Sequence, residues 1–202
     1  MKRITLTVLL ALVFSGSVMA DEQLWGLLEA QEAASGQFIQ ELYDEEGDLL
    51  ERSSGRYAVL RPGFFRWEIE YPDRQLLLVS GDLFWHYDID LATATRRNAG
   101  DDKSFAPLEL LGGDLEELRG RFRVTRLSDG EFQLQPTYPA AGFALVEMHW
   151  DGPLLRAMEI LDRSGQRLQL ALEPAANPVE LASDDFQFSV PEGVEVFYDD
   201  GV

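Results

Sequence analysis

Residues 61–72, RPGFFRWEIEYP, decide how this chain is read. Pro62 fixes its own φ and Gly63 tolerates a positive one, which is what the two central positions of a type II turn require, so a turn is predicted there. Side chains of a strand point alternately to opposite faces, and the run after the turn separates cleanly by parity. Phe65, Trp67, Ile69 and Tyr71 fall on one face, with Arg66, Glu68 and Glu70 on the other. The next hairpin repeats the theme, Leu83, Trp85 and Tyr87 sharing one face opposite Phe84 and His86. Two readings of the aromatic face stand at this point: an ordinary core between sheet and helices, or a large apolar cavity whose cover opens.

Outward from this stretch, the apolar period is two over most of the chain. Short runs broken by Gly, Asp and Pro cover Phe38–Tyr43, Gly55–Leu60, Phe64–Tyr71, Gln75–Val79, Leu83–Tyr87 and Ala92–Arg96. They resume at Arg121–Leu127, Glu131–Gln135, Phe143–Trp150, Leu155–Leu161, Arg167–Glu173 and Phe186–Val190. Evenly spaced strands with tight connections predict an antiparallel meander, closed or strongly curved. Two segments read differently. Gln23–Ala34 places Leu24, Leu27, Leu28 and Gln31 at helical spacing before a Ser35-Gly36 stop. Ser104–Gly113 has Pro107 early, Phe105, Leu108 and Leu111 three residues apart, and a Gly-Gly end, which predicts a short helix, with a further turn over Asp114–Arg119. Such helices must bury their apolar faces on the concave side of the sheet.

The amino terminus has the form of a secretory leader: Lys2 and Arg3, an apolar stretch from Ile4 to Phe14, then Val18-Met19-Ala20, with cleavage predicted after Ala20. The division expected is residues 1–20 as signal peptide and 21–202 as one domain, with no later apolar run long enough to cross a bilayer. Loss of the leader takes the formal charge from −19 to −21. So acidic a surface lacks the clustered Lys and Arg that nucleic acid requires and repels anionic headgroups. The chain has no cysteine, which excludes disulfides, thiolate metal sites, cysteine catalysis and a lipidated amino-terminal anchor. A soluble monomer is expected.

Catalysis finds little footing. His86 and His149 are the only histidines and neither stands at metal-ligand spacing; no G-x-S-x-G and no Gly-rich phosphate loop occurs. Asp88 and Asp90 read as turn residues rather than a carboxylate pair. The expectation is no enzyme and no cofactor.

Three segments in this order carry a resemblance: 61–72 with R-P-x-x-F-x-W, Leu78–Leu91 (LVSGDLFWHYDIDL) followed by Thr95 and Arg96, and Phe186–Val196 (FQFSVPEGVEV). Together they resemble the periplasmic outer-membrane lipoprotein carriers of the LolA type, with Ile89 standing where that family has Pro. The resemblance implies a mainly β fold with a few helices, an incomplete antiparallel barrel of about eleven strands whose apolar cavity lies under a helical lid. It implies a chaperone that takes triacylated lipoproteins from an inner-membrane ABC transporter, crosses the periplasm and hands them to an outer-membrane receptor. By that resemblance Arg61 would latch the lid through its backbone and Phe65 would face the cavity. The acyl-binding surface is then expected from Phe65, Trp67, Ile69 and Trp85 of the sheet, Leu24 and Leu28 of the first helix, and Phe105, Leu108 and Leu111 of the middle helix. Alternatives are a lipid or amphiphile sensor on the same scaffold and a periplasmic hydrolase.

Overall fold

A computed structural model describes residues 15–99, 109–138, 141–176 and 180–199, with backbone only for 15–20. Alternation of apolar residues generates twelve strands among the described residues: β1 (Ala33–Tyr43), β2 (Leu49–Leu60), β3 (Phe64–Tyr71), β4 (Gln75–Ser80), β5 (Leu83–Asp88), β6 (Thr93–Asn98), β7 (Phe122–Ser128), β8 (Glu131–Pro136), β9 (Phe143–Asp151), β10 (Leu154–Asp162), β11 (Arg167–Pro174) and β12 (Glu195–Asp199). Three α-helices accompany them: α1 (Ser15–Ala30), α2 (Glu109–Gly112) and α3 (Leu115–Arg119). One sheet contains all the strands in the order β12-β6-β5-β4-β3-β2-β1-β11-β10-β9-β8-β7. Its two end strands, β12 and β7, do not pair with each other, so the barrel is incomplete, as the resemblance implies.

Each face of the sheet has its own apolar cluster. The helices cover the inner face, where Leu24, Trp25 and Leu28 of α1, Leu110 and Leu111 of α2 and Leu118 of α3 join the main core. On the outer face Leu76 and Leu78 of β4 pack with Phe186 of a 3-10 turn, Ser183–Phe186, and with Phe64, Trp85 and Phe188.

Three expectations are corrected. Phe186–Val190 is not a strand: Phe186 and Phe188 do alternate with polar residues, but their side chains pack on the outer face of the sheet while their backbone joins no ladder. The strand near the carboxyl terminus is β12, and it runs parallel to β6 in an otherwise antiparallel sheet. Finally, α1 ends at Ala30, and Ala33-Ala34-Ser35 pair with Leu60-Val59-Ala58. A hydrogen-bonded strand partner here overrides the helical preference of alanine.

Two glycines let neighbouring backbone approach closely. A Cβ on Gly55 would lie 1.8 Å from the Glu68 carbonyl oxygen, and one on Gly36 would lie 2.2 Å from that of Glu173. Both contacts are with backbone, which has no flexible end to give way. Gly55 also pairs with Phe38, whose ring stacks on Trp67 with centroids 3.7 Å apart. Gly55→Ala is therefore expected to destabilise the fold by roughly 2 kcal/mol or more, read as a lowered urea midpoint.

Candidate functional site: a lidded apolar face

The inner face of β3 presents Phe65 and Trp67, 4% and 1% exposed, with half-buried Ile69 continuing the row. Tyr71, the last member of the predicted row, is 65% exposed at the strand end. The row is an aromatic stack: Phe65 and Trp67 lie 5.7 Å apart at an interplanar angle of 13°, and the Phe38 ring also stacks on Trp67. Tyr57 of β2 sits beside Trp67 at 6.0 Å, and burial pushes its phenol up to about 12. Leu111 of α2 packs over β2 and β3 here, while Leu24 and Leu28 of α1 belong to the same apolar cluster but sit chiefly against β7 and α3. Phe105 and Leu108 lie outside the described residues.

Trp85 does not belong to this surface. Register runs from Phe65 to Val79 on β4 and from Val79 to Phe84 on β5, so Phe84 shares the Phe65 face and Trp85 is turned outward. There the Trp85 ring packs against Phe188 at 4.9 Å. The inner residues that the sequence pattern did not single out include Phe84, Trp25, Leu110 and Leu118. The signal for Phe84 was present: across the two-residue turn Gly81-Asp82, Ser80 must face Leu83, which puts Phe84 opposite Val79.

Between α2, α3 and the β3–β5 end of the sheet lies a cavity of about 410 Å³, lined by Phe65, Val79, Phe84 and Leu118 and reaching Pro62 and Gly63 at the turn. Its size is at the low end for a pocket that takes a drug-sized molecule, so several acyl chains would have to displace helices from the inner face.

Arg61 stands at the exit of β2, where its position is set by its own amide donating to the Glu32 carbonyl at 2.8 Å. Its guanidinium reaches α2: Nη1 donates to the Gly113 carbonyl at 2.8 Å and Nη2 to that of Leu110 at 2.5 Å. Carbonyls at a helix end have no partner within the helix, so they are free to accept. The Gly63 amide adds a bond to the Gly112 carbonyl at 2.9 Å, and Gly63 has the positive φ, 84°, expected of it. A Cβ on Gly112 would stand 3.1 Å from the Phe64 carbonyl oxygen, so glycine permits this close seating.

Burial lowers the Arg61 pKa to about 10, leaving it cationic at neutral pH. For a cation, a lowered folded-state value means that burial opposes the charged form; the penalty is present at neutral pH and fades only as pH rises through about 10. Nε, also buried, has no hydrogen-bond partner among the described residues. Two bonds to carbonyls thus offset a desolvation cost rather than add to a comfortable surplus.

The remaining polar candidates are structural. Nε2 of His86 is 3.0 Å from the Gln75 side-chain oxygen, and Nδ1 of His149 lies 3.5 Å from Glu131. Asp88 accepts the Leu91 amide at 2.9 Å, and Asp90 is bonded by the Arg74 amide and guanidinium, which hold its carboxyl below the usual range. Among the described residues no group of three or more His, Cys, Asp or Glu is placed to hold a metal ion.

Uptake of a pyrene-labelled fatty acid separates the two faces. Phe65→Glu is expected to abolish it, since a charge then sits on the inner apolar face. Trp85→Ala is expected to lower stability by roughly 1–3 kcal/mol through the outer cluster while leaving uptake unchanged. For Arg61→Leu the expected loss of closure is about 1–2 kcal/mol, seen as uptake some 5- to 30-fold faster in stopped flow.

Comparison with known proteins places this geometry. The family described as outer membrane lipoprotein carrier protein LolA matches residues 29–189. An outer-membrane lipoprotein carrier protein of Alkalilimnicola ehrlichii is 34% identical over 202 residues, covering 96% of this chain and 94% of its own. The protein of that name from Methylococcus capsulatus is 32% identical, covering 88% and 86%. Among solved structures, an uncharacterized conserved protein from Thermus thermophilus superposes with a TM-score of 0.54 at 15% identity, covering 88% of this chain and 98% of its own, which speaks to the fold alone. The sequence match over most of the chain and the lidded incomplete barrel agree: this chain belongs to the LolA family of outer membrane lipoprotein carrier proteins.

Proposed function

We propose that this chain is a periplasmic chaperone that shelters the acyl chains of lipoproteins on the inner face of its sheet, taking them from an inner-membrane ABC transporter and passing them to an outer-membrane receptor. The observation that carries the reading is the pairing of a dry aromatic row, Phe65 and Trp67, with a small helix held over it by Arg61. Exposing acyl chain to water costs about 0.8 kcal/mol for each methylene, so a lipoprotein with several chains cannot cross an aqueous compartment unaided. An empty carrier faces the converse problem, because a large open apolar patch associates nonspecifically. A lid resolves both.

Arg61 acts as the latch. Because its bonds to Leu110 and Gly113 offset a desolvated charge, the closed state is favoured by only a small margin, and acyl chains that bind the open inner face better than the closed one shift the balance. Nothing in this cycle makes or breaks a covalent bond. Export follows from the leader, removed after Ala20. The new amino terminus then lies within α1, whose remaining turns keep Leu24 and Leu28 in the core and the Trp25 indole bonded to Asp21 at 2.6 Å.

The test is lipoprotein release. Purified residues 21–202, added to energised spheroplasts, are expected to recover newly made triacylated lipoprotein in the soluble fraction as a stoichiometric complex. Absence of release, while the spheroplasts' own carrier works in parallel, would overturn the reading.

A further inference from the structure

The guanidinium of Arg61 grips the Leu110 and Gly113 carbonyls of the single turn α2 and leaves its first side chain to another arginine. That turn begins with Glu109, whose half-buried carboxylate points to Arg121, on the link between α3 and β7. Nη1 of Arg121 donates to Glu109 Oε2 at 3.2 Å and Nη2 to the Tyr138 hydroxyl at 3.3 Å, while the guanidinium carbon lies 4.9 Å from the centre of the Tyr138 ring. The backbone of Arg121 is itself fixed: its amide donates to the Leu118 carbonyl at 2.9 Å, and its carbonyl accepts the Thr137 amide at 2.8 Å. Tyr138 packs against the main core.

The two arginines belong to opposite parts of the sheet. Arg61 stands between β2 and β3, whereas Arg121 precedes β7, the end strand beside β8. Glu109 and Arg121 line the same cavity as Phe65 and Phe84. Burial raises the Glu109 carboxyl above its ordinary value, and Arg121 opposes that rise. A carboxylate in such a place without its cation is costly, so loss of Arg121 would favour lifting Glu109 toward water.

We propose that Arg121 is a second positioning residue of the lid, clamping the Glu109 side chain of α2 while Arg61 clamps its Leu110 and Gly113 carbonyls, so that the cavity opens fully only when both contacts break. The proposal rests on the carrier reading for its purpose, though not for its geometry. The two clamps differ in chemistry. One grips backbone carbonyls and is indifferent to the side chains of α2; the other needs an acid at position 109. Glu109 and Arg121 share a contact, so their substitutions should not add, whereas Arg61 and Arg121 share none and should combine multiplicatively.

Hydrogen exchange in the 110–113 amides reads lid opening without any cargo. Arg121→Gln and Glu109→Gln are each expected to speed exchange about 3- to 10-fold, the double variant no more than either alone. Arg121→Lys should restore much of the protection, and Arg61→Leu with Arg121→Gln should show the product of the single effects. Pyrene-fatty-acid uptake should rise in parallel. Unchanged exchange in Arg121→Gln with an unchanged urea midpoint would overturn the clamp, as would full additivity of the 109 and 121 substitutions. Should exchange respond as expected while the wild-type protein takes up no probe, the clamp stands and the carrier reading fails.

Discussion

An open sheet with an apolar inner face has to be covered by something other than itself. In this chain β7 and β12 end the sheet without meeting, so Phe65, Trp67, Phe132 and Met148 would face water if the helices were absent. Everything else about the site follows from that constraint. α1 supplies a fixed portion of the cover with Leu24, Trp25 and Leu28, tied to α3 by the Arg119–Glu29 pair. α2 supplies the smallest portion, one turn long, and depends for its place on polar contacts from Arg61 and Gly63 as well as on the burial of Leu110 and Leu111.

That dependence is what makes a reversible cover physically reasonable. Apolar burial alone is nonspecific and would bind a helix or an acyl chain by the same means. Polar contacts to α2 add a modest, directional preference for the closed arrangement, and the desolvated charge of Arg61 keeps that preference from growing large. Asp114 contributes at the junction by capping α3, its carboxylate accepting the Glu116 amide at 2.8 Å, so the helix after the lid is defined independently of the lid's own position.

The outer face has a cluster that holds part of the sheet without help from the inner one. Leu76, Leu78, Trp85 and Tyr87 are packed from outside by Leu181, Phe186 and Phe188, with the Phe64 and Phe186 rings 5.6 Å apart. Strands β3 to β5 are therefore held by contacts on the side away from the cavity, and their stability does not rest wholly on the surface that the helices cover.

The sequence by itself determined the elements and much of the site. Period-two alternation marked most of the strands, β3 to the residue; the order of apolar and charged side chains assigned Phe65, Trp67 and Ile69 to one face; and the resemblance carried by 61–72 pointed to Arg61 before any contact was visible. Tertiary structure decided what local pattern leaves open. Parity tells which residues share a face but not which face is inside; that depends on register with neighbouring strands, and the β3-β4-β5 register put Phe84 within and Trp85 without. It also turned Ala33 and Ala34 from helix into strand, because β2 offered them a partner, and made Phe186 and Phe188 a strap rather than a strand. Glu109 and Arg121 meet across a twelve-residue separation that includes α3, and no spacing rule within a single element anticipates such a contact.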